Sequence, residues 1–308
     1  MKPVLLAAWL LLCCGGVSAQ PQILAKETPD GKRTDFFLEK KDRPGTLTVF
    51  LTFTELHNCT SRPGTTRHEV RHDMSRLTSL RAADESYGVG YRYTWRYFYG
   101  PINPDADTAF VYRMPCSECK PVRVVRTVYV LDKYRKAPDE QQQLGYHFAL
   151  EKGDTVYAMR RGTVTRVDVR EKSGADVSFT TKSTDMTVEH PDGSFAWYIC
   201  LDCDGLFVRE GDEVLPSEPL GLAGSYDGEH YKVSVQTYWY VSNPDSEKRR
   251  EQPAVMRRFF PRFATTDGVL VPEHGGIYTP VATREMVTRE MTKKELKKFR
   301  SAGAASGE

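Results

Sequence analysis

Four stretches decide how this chain folds: QLGYHFALEKGDTVYAMRRGTV (143–164), VEHPDGSFAWYICL (188–201), VREGDEVLPSEPLGLAGS (208–225) and YDGEHYKVSVQ (226–236). Each consists of short β-prone runs closed by glycine or proline, and none carries the three-to-four-residue apolar spacing of an amphipathic helix. Gly153, Gly162, Gly193, Gly211, Gly221 and Gly224 punctuate the region. Glycines so placed suit the tight turns of a small antiparallel barrel or sandwich.

In order and spacing these pieces resemble the LytM/lysostaphin-type zinc metallopeptidases, a family that cuts peptide cross-links in bacterial cell walls. The family pattern runs HxGxD, GTPVYA, GxV, YxHL, VxxGDxV, GxxG and HLHFEV. The resemblance covers roughly a third of the chain and implies the family's β core, a duplicated hybrid motif, for residues 143–244. It also assigns slots. The HxGxD positions hold Gln143, Gly145 and His147; the YxHL positions hold Tyr198, Cys200 and Leu201; the HLH positions hold His230, Tyr231 and Lys232. By resemblance, Gln143, His147 and Lys232 occupy the three zinc-ligand slots, and Cys200 and His230 the proton-handling slots.

A catalytic zinc needs three N, O or S ligands and an open water position. The neutral amide of Gln143 is a poor ligand, and the Lys232 ammonium has only donors and repels a cation. His147 alone does not hold zinc. The resemblance therefore implies a non-catalytic domain without a cofactor, one that binds peptidoglycan peptides through the old cleft or regulates a wall hydrolase. A purely structural envelope role is a further reading. The alternative in another class is an active peptidoglycan metalloendopeptidase whose zinc is held by a rearranged site of His147, Cys200 and His230, all chemically competent ligands.

Outward from this region, the first 19 residues read as a signal peptide. Lys2 is followed by an apolar run and then the small-residue site Val17-Ser18-Ala19. The reading is of an exported protein of the periplasm, cell envelope or extracellular space, without a transmembrane segment. The chain carries 43 basic and 41 acidic residues, a balance without the basic excess of nucleic-acid binders.

Residues 20–45 are a polar N-terminal segment. TLTVFLTF, the alternating YGVGYRYTWRYFY (87–99) and PVRVVRTVYVL predict a β-sandwich-like domain over 46–133, with the aromatic face of 87–99 packed as its core. A charged linker spans 134–142. Beyond the 143–244 domain, 245–283 reads as a β-hairpin extension and 284–308 as a basic tail, solvated and helical or frayed. The whole is thus an all-β chain. Cys116, Cys119, Cys200 and Cys203 form two CxxC pairs, CSEC and CLDC. In an exported protein these are candidate disulfides, with a four-cysteine zinc site or free thiols as the other options; Cys59 is left over. His68 and His72 have helical i, i+4 spacing but no evident third ligand, and His190 matches a non-ligand histidine of the family.

Overall fold

The computed structural model describes residues 20–118, 120–127, 144–172, 181–246 and 252–305. The signal-peptide reading at 1–19, the linker at 134–142, Cys119 and Gln143 lie outside them. The chain divides into two compact units, one formed by residues up to Arg43 with His57–Ser61 and His72–Gly90, the other by Pro44–Leu56, Arg62–Arg71 and Tyr91 onward.

The smaller unit is a three-stranded antiparallel sheet of β1 (Gln22–Glu27), β2 (Arg33–Glu39) and β5 (Met74–Arg81), in the order β1-β2-β5. Its buried face is supplied by Phe36, Leu38 and Leu80. Asn58, in the left-handed region at φ 48°, closes the adjoining loop. Its side-chain amide donates to the carbonyls of Asp84 (2.9 Å) and Tyr87 (2.8 Å), and its oxygen accepts from Asp84 N (2.8 Å). Asparagine tolerates that backbone region because its short side chain can bond locally.

In the larger unit, β3 (Leu47–His57) lies between β4 (Gly64–Val70) and β6 (Gly90–Tyr99). Strand alternation buries Leu47, Val49, Leu51 and Phe53 on one face of β3. The aromatic residues of β6 do not form the closed sandwich core expected for them. Tyr91, Tyr93, Trp95 and Tyr97 are half-buried and Tyr99 is 48% exposed. They form a ladder of rings, with Trp95 stacked on Tyr97 at 5.7 Å and Tyr97 edge-on to Tyr99 at 5.4 Å.

The large sheet contains β8 (Val122–Thr127), β9 (Gly145–Leu150), β10 (Thr155–Tyr157), β11 (Gly162–Lys172), β12 (Thr181–Glu189), β13 (Phe195–Leu206), β14 (Glu213–Val214), β15 (Pro219–Ser225), β16 (Tyr231–Ser242), β17 (Ala254–Phe259) and β20 (Ile277–Tyr278). Its main path is β14-β11-β12-β13-β15-β16-β9-β8-β20, and no barrel closes among the described residues. β8, read from sequence as a strand of the N-terminal sandwich, pairs antiparallel with β9 instead, placing Val124 opposite Phe148. Both residues are fully buried, and about 1.5–3 kcal/mol per large apolar side chain rewards that register.

Tyr112, Tyr146, Tyr198, Val188, Val233 and Phe263 complete this core, and the buried Tyr198 hydroxyl accepts from Met159 N at 2.9 Å. β18 (Arg262–Thr265) and β19 (Gly268–Leu270) form the hairpin read within 245–283, and β18 also runs parallel to the short β7 (Val111–Tyr112).

The tail holds two helices, α1 (Arg284–Thr288) and α2 (Lys293–Ala305). It is anchored rather than merely solvated. The buried Arg160 pairs with Glu290 at 2.7 Å and Asp192 at 2.8 Å while lying 3.7 Å over the Phe110 ring. Arg161 pairs with Glu295 at 2.7 Å. Thr292 and Glu295 form a capping box at the start of α2: Glu295 accepts from Thr292 N (2.7 Å) and Thr292 Oγ1 accepts from Glu295 N (3.3 Å).

Candidate functional site

β16 organises the candidate site. It pairs with β9, placing Ser234 opposite His147 and Lys232 opposite Ala149. It also pairs with β13, placing Ser234 opposite Ile199, and with β15, placing Lys232 opposite Gly224. Because side chains alternate along a strand, Lys232 and Ser234 share a face, and His147 joins them through a hydrogen bond between its Nδ1 and the Ser234 hydroxyl. β15 must come close to β13 here. A Cβ on Gly224 would lie 2.6 Å from the Cys200 carbonyl oxygen, so only glycine fits without a backbone shift.

Cys200 is fully buried and has φ 72°, a left-handed conformation unusual for its type. This backbone turn accompanies a slip in the β12–β13 register between Thr184 and Met186. Cys200 N donates to Asp185 Oδ1 at 3.3 Å. Arg170 Nε lies 2.7 Å from Asp185 Oδ2, an ion pair without good hydrogen-bond angles. Tyr226 hydrogen-bonds the Cys200 thiol, and Lys232 Nζ lies 5.1 Å from the Tyr226 ring centre.

The electrostatics follow from burial and one cation. Burial, helped by the Lys232 charge, lowers the His147 pKa to about 4, so its imidazole is neutral at pH 7. Burial pushes the Cys200 thiol up to about 11 despite the opposing pull of Lys232. A thiol held protonated is neither a nucleophile nor a ready metal ligand. Burial likewise raises the Asp185 carboxyl, with Arg170 opposing.

His147, Cys200 and Lys232 thus fall in one partly buried polar cluster with Ser234, Tyr226 and Asp185. His230 is placed differently. Its side chain is 81% exposed, and its Nδ1 lies 2.7 Å from Asp227 Oδ2. Asp227 also accepts from the backbone N–H groups of Glu229 (3.0 Å) and His230 (2.8 Å), which hold its carboxyl well below the usual range. The DGEH segment is therefore a carboxylate-capped turn.

Among the described residues, no three His, Cys, Asp or Glu side chains gather into a group able to hold a metal ion. That statement includes His147, Cys200 and His230. The described side chains do not make a zinc ligand set: the neutral His147 imidazole could ligate, but the Cys200 thiol is held protonated and the Lys232 ammonium repels a cation.

Among the described residues the expected disulfides are not formed. Cys59, Cys116, Cys200 and Cys203 are free thiols. Cys200 and Cys203 lie three residues apart within β13, the first fully buried and the second half-buried. Cys116 is buried and pushed up to about 12. Its carbonyl accepts from the Arg113 guanidinium at 2.6 Å.

Reading the sequence did not single out Ser234, Tyr226, Asp185 or Arg170. Ser234 was detectable, since it lies two residues beyond Lys232 on a strand. Asp185 and Arg170 needed the β11–β12 hairpin register, which no local motif encodes.

No protein-family model matches the sequence, and no protein of curated function matches it. Among solved structures, the chain is similar to a LytM glycyl-glycine endopeptidase from Ruminococcus gnavus, with 16% identity over 50% of this chain and a TM-score of 0.30. The match spans 58% of that chain's length. It is also similar to Helicobacter pylori Csd3, with 8% identity over 93% of this chain and 84% of that one, at a TM-score of 0.29. Likenesses at these values transfer no residue role to this chain.

Proposed function

We propose that this is an exported cell-envelope protein whose LytM-like domain, residues 143–244, binds cell-wall peptide without cutting it. One observation carries the reading: Lys232, which the resemblance assigns to the slot of the last metal ligand, has its ammonium beside a neutral His147 and a protonated Cys200. A fixed cation in a partly buried polar cluster attracts the carboxylates of a peptide ligand, and charge-assisted hydrogen bonds are the stronger kind. It cannot activate a water for hydrolysis as a metal does. Regulation of a wall hydrolase would use the same cluster with a protein ligand.

The experiment is co-sedimentation of the purified full chain with insoluble peptidoglycan, alongside an assay for released peptides. Retention without product, weakened on the order of tenfold in Lys232→Glu, is the expected result. Zinc-dependent product release would replace this reading with the endopeptidase. Neither retention nor release would leave the wall-hydrolase partner as the occupant to test.

A further inference from the structure

A concave site lies within the larger unit, lined by none of the residues of that cluster. It is a groove of about 540 Å³ whose floor is the solvent-facing side of the β4-β3-β6 sheet, in the size range of small-molecule sites. Phe50 and Thr52 come from β3, Arg67 and Thr65 from β4, and Thr94, Trp95 and Arg96 from β6. The register explains the grouping, because Phe50 pairs with Arg67 and Thr52 with Thr65. Ser242, Asn243, Ser246 and Pro253 form the facing wall.

Two features distinguish this groove from ordinary sheet surface. The first is charge. Two guanidinium groups line it and no carboxylate does. Arg96 rests 4.9 Å over the Phe50 ring and has no ion-pair partner among the described residues. Arg67 meets Glu69 only at 3.4 Å, across an exposed pair of a kind worth little. A guanidinium stacked on an aromatic ring keeps its planar donor fork free and oriented, the geometry that accepts a carboxylate through two parallel bonds.

The second feature is rigidity. Ser242 N donates to Asn103 Oδ1 at 2.9 Å while Asn103 Nδ2 donates to Ser242 Oγ at 2.8 Å. Asn243 N donates to the Pro253 carbonyl at 2.9 Å, and the Thr52 and Thr65 hydroxyls lie 2.8 Å apart. Walls fixed in this way limit the ordering cost of binding.

We infer that this groove binds a small organic carboxylate, its anionic group on Arg96 and Arg67 and its body against Phe50. A peptide C-terminus and a sugar acid share that chemistry. The test titrates the folded full chain with N-acetyl-alanyl-alanine and, separately, glucuronate. Their uncharged counterparts, the peptide amide and glucose, serve as controls. Binding is measured by isothermal titration calorimetry and followed by NMR at the Arg96 Nε–H, assigned with Arg96→Lys.

The expected result is saturable shifts with one or both acids, weaker at high salt, and affinity lost on the order of tenfold in Arg96→Gln. Arg96→Lys keeps the charge without the fork and should fall between Arg96→Gln and the parent. Which acid binds more tightly identifies the source. Failure of both acids to bind, equal binding of the uncharged counterparts, or unchanged affinity in folded Arg96→Gln would each overturn the inference. Lys232→Glu should leave these titrations unaltered, so this site and the Lys232 cluster fail or succeed separately.

Discussion

Lys232 is the residue on which the cluster turns, because it changes the protonation chemistry of both neighbours. It adds to burial in lowering His147 and opposes burial at Cys200. Replacing it with methionine should therefore raise the His147 pKa from about 4 toward 6.5 and raise the Cys200 thiol further. An NMR titration of the His147 ring checks the first; an unmoved midpoint would show that the ammonium is not beside it. Cys200 should also be slow to alkylate. At pH 8, Cys203 should react with iodoacetamide before Cys200, by on the order of tenfold or more, because the thiolate is the reactive form and Cys200 is buried as well. Peptide mapping by mass spectrometry reads both rates. The ligand chemistry of the residues that the resemblance assigns to the slots was legible in the sequence, because a Gln amide and a Lys ammonium are poor zinc ligands in any surroundings. The turn that takes up His230 was not, since Asp227 caps it through backbone donors that no residue identity announces.

At the scale of elements, the strands were legible wherever alternation or β-branching was strong. β3, β6, the hairpin of β18 and β19, and the strands of the 143–244 region lie where their patterns place them. Pairing was less legible, because it depends on partners far along the chain. β8 has the same apolar alternation whether it edges an N-terminal sandwich or joins β9. The tail shows a related limit. Its net basic charge suggested solvation, yet the residues that fix it are the acidic ones, Glu290 and Glu295, met by Arg160 and Arg161. The Thr292–Glu295 capping box was a readable signal for α2 that charge counting passed over. Arg161→Ala and Glu295→Ala should each expose α2 to limited proteolysis, with a coupling of about 1 kcal/mol or less in a double-mutant cycle of an accessible pair. Arg160→Met should cost more, about 3–5 kcal/mol, by leaving Asp192 and Glu290 without their buried cation. Equal effects of the two arginines in a urea melt would refute that ranking.

The molecule as a whole should be acid-sensitive for an identifiable reason. His147 and the buried His190 are lowered from 6.5 to about 4 and about 3, the first mainly by burial and the second by burial and Arg160. Between about pH 6.5 and pH 4 the unfolded chain binds more protons than the folded one, so stability rises with pH across that window and falls on acidification. Melting temperature measured from pH 7 to pH 4 should drop, with a shallower slope in His147→Gln. The central claim is that the frame of a zinc cleft survives with its ligands exchanged, and restoring the ligands tests it most directly. The triple change Gln143→His, His147→Asp and Lys232→His supplies two imidazoles and a carboxylate, a ligand set suited to catalytic zinc. After circular dichroism and a cooperative melt confirm folding, zinc binding is measured by calorimetry for the variant and the parent. The account predicts saturable binding of about one zinc by the variant and negligible binding by the parent. A folded variant that binds zinc no better than the parent, or a parent that already binds it stoichiometrically, would contradict the account.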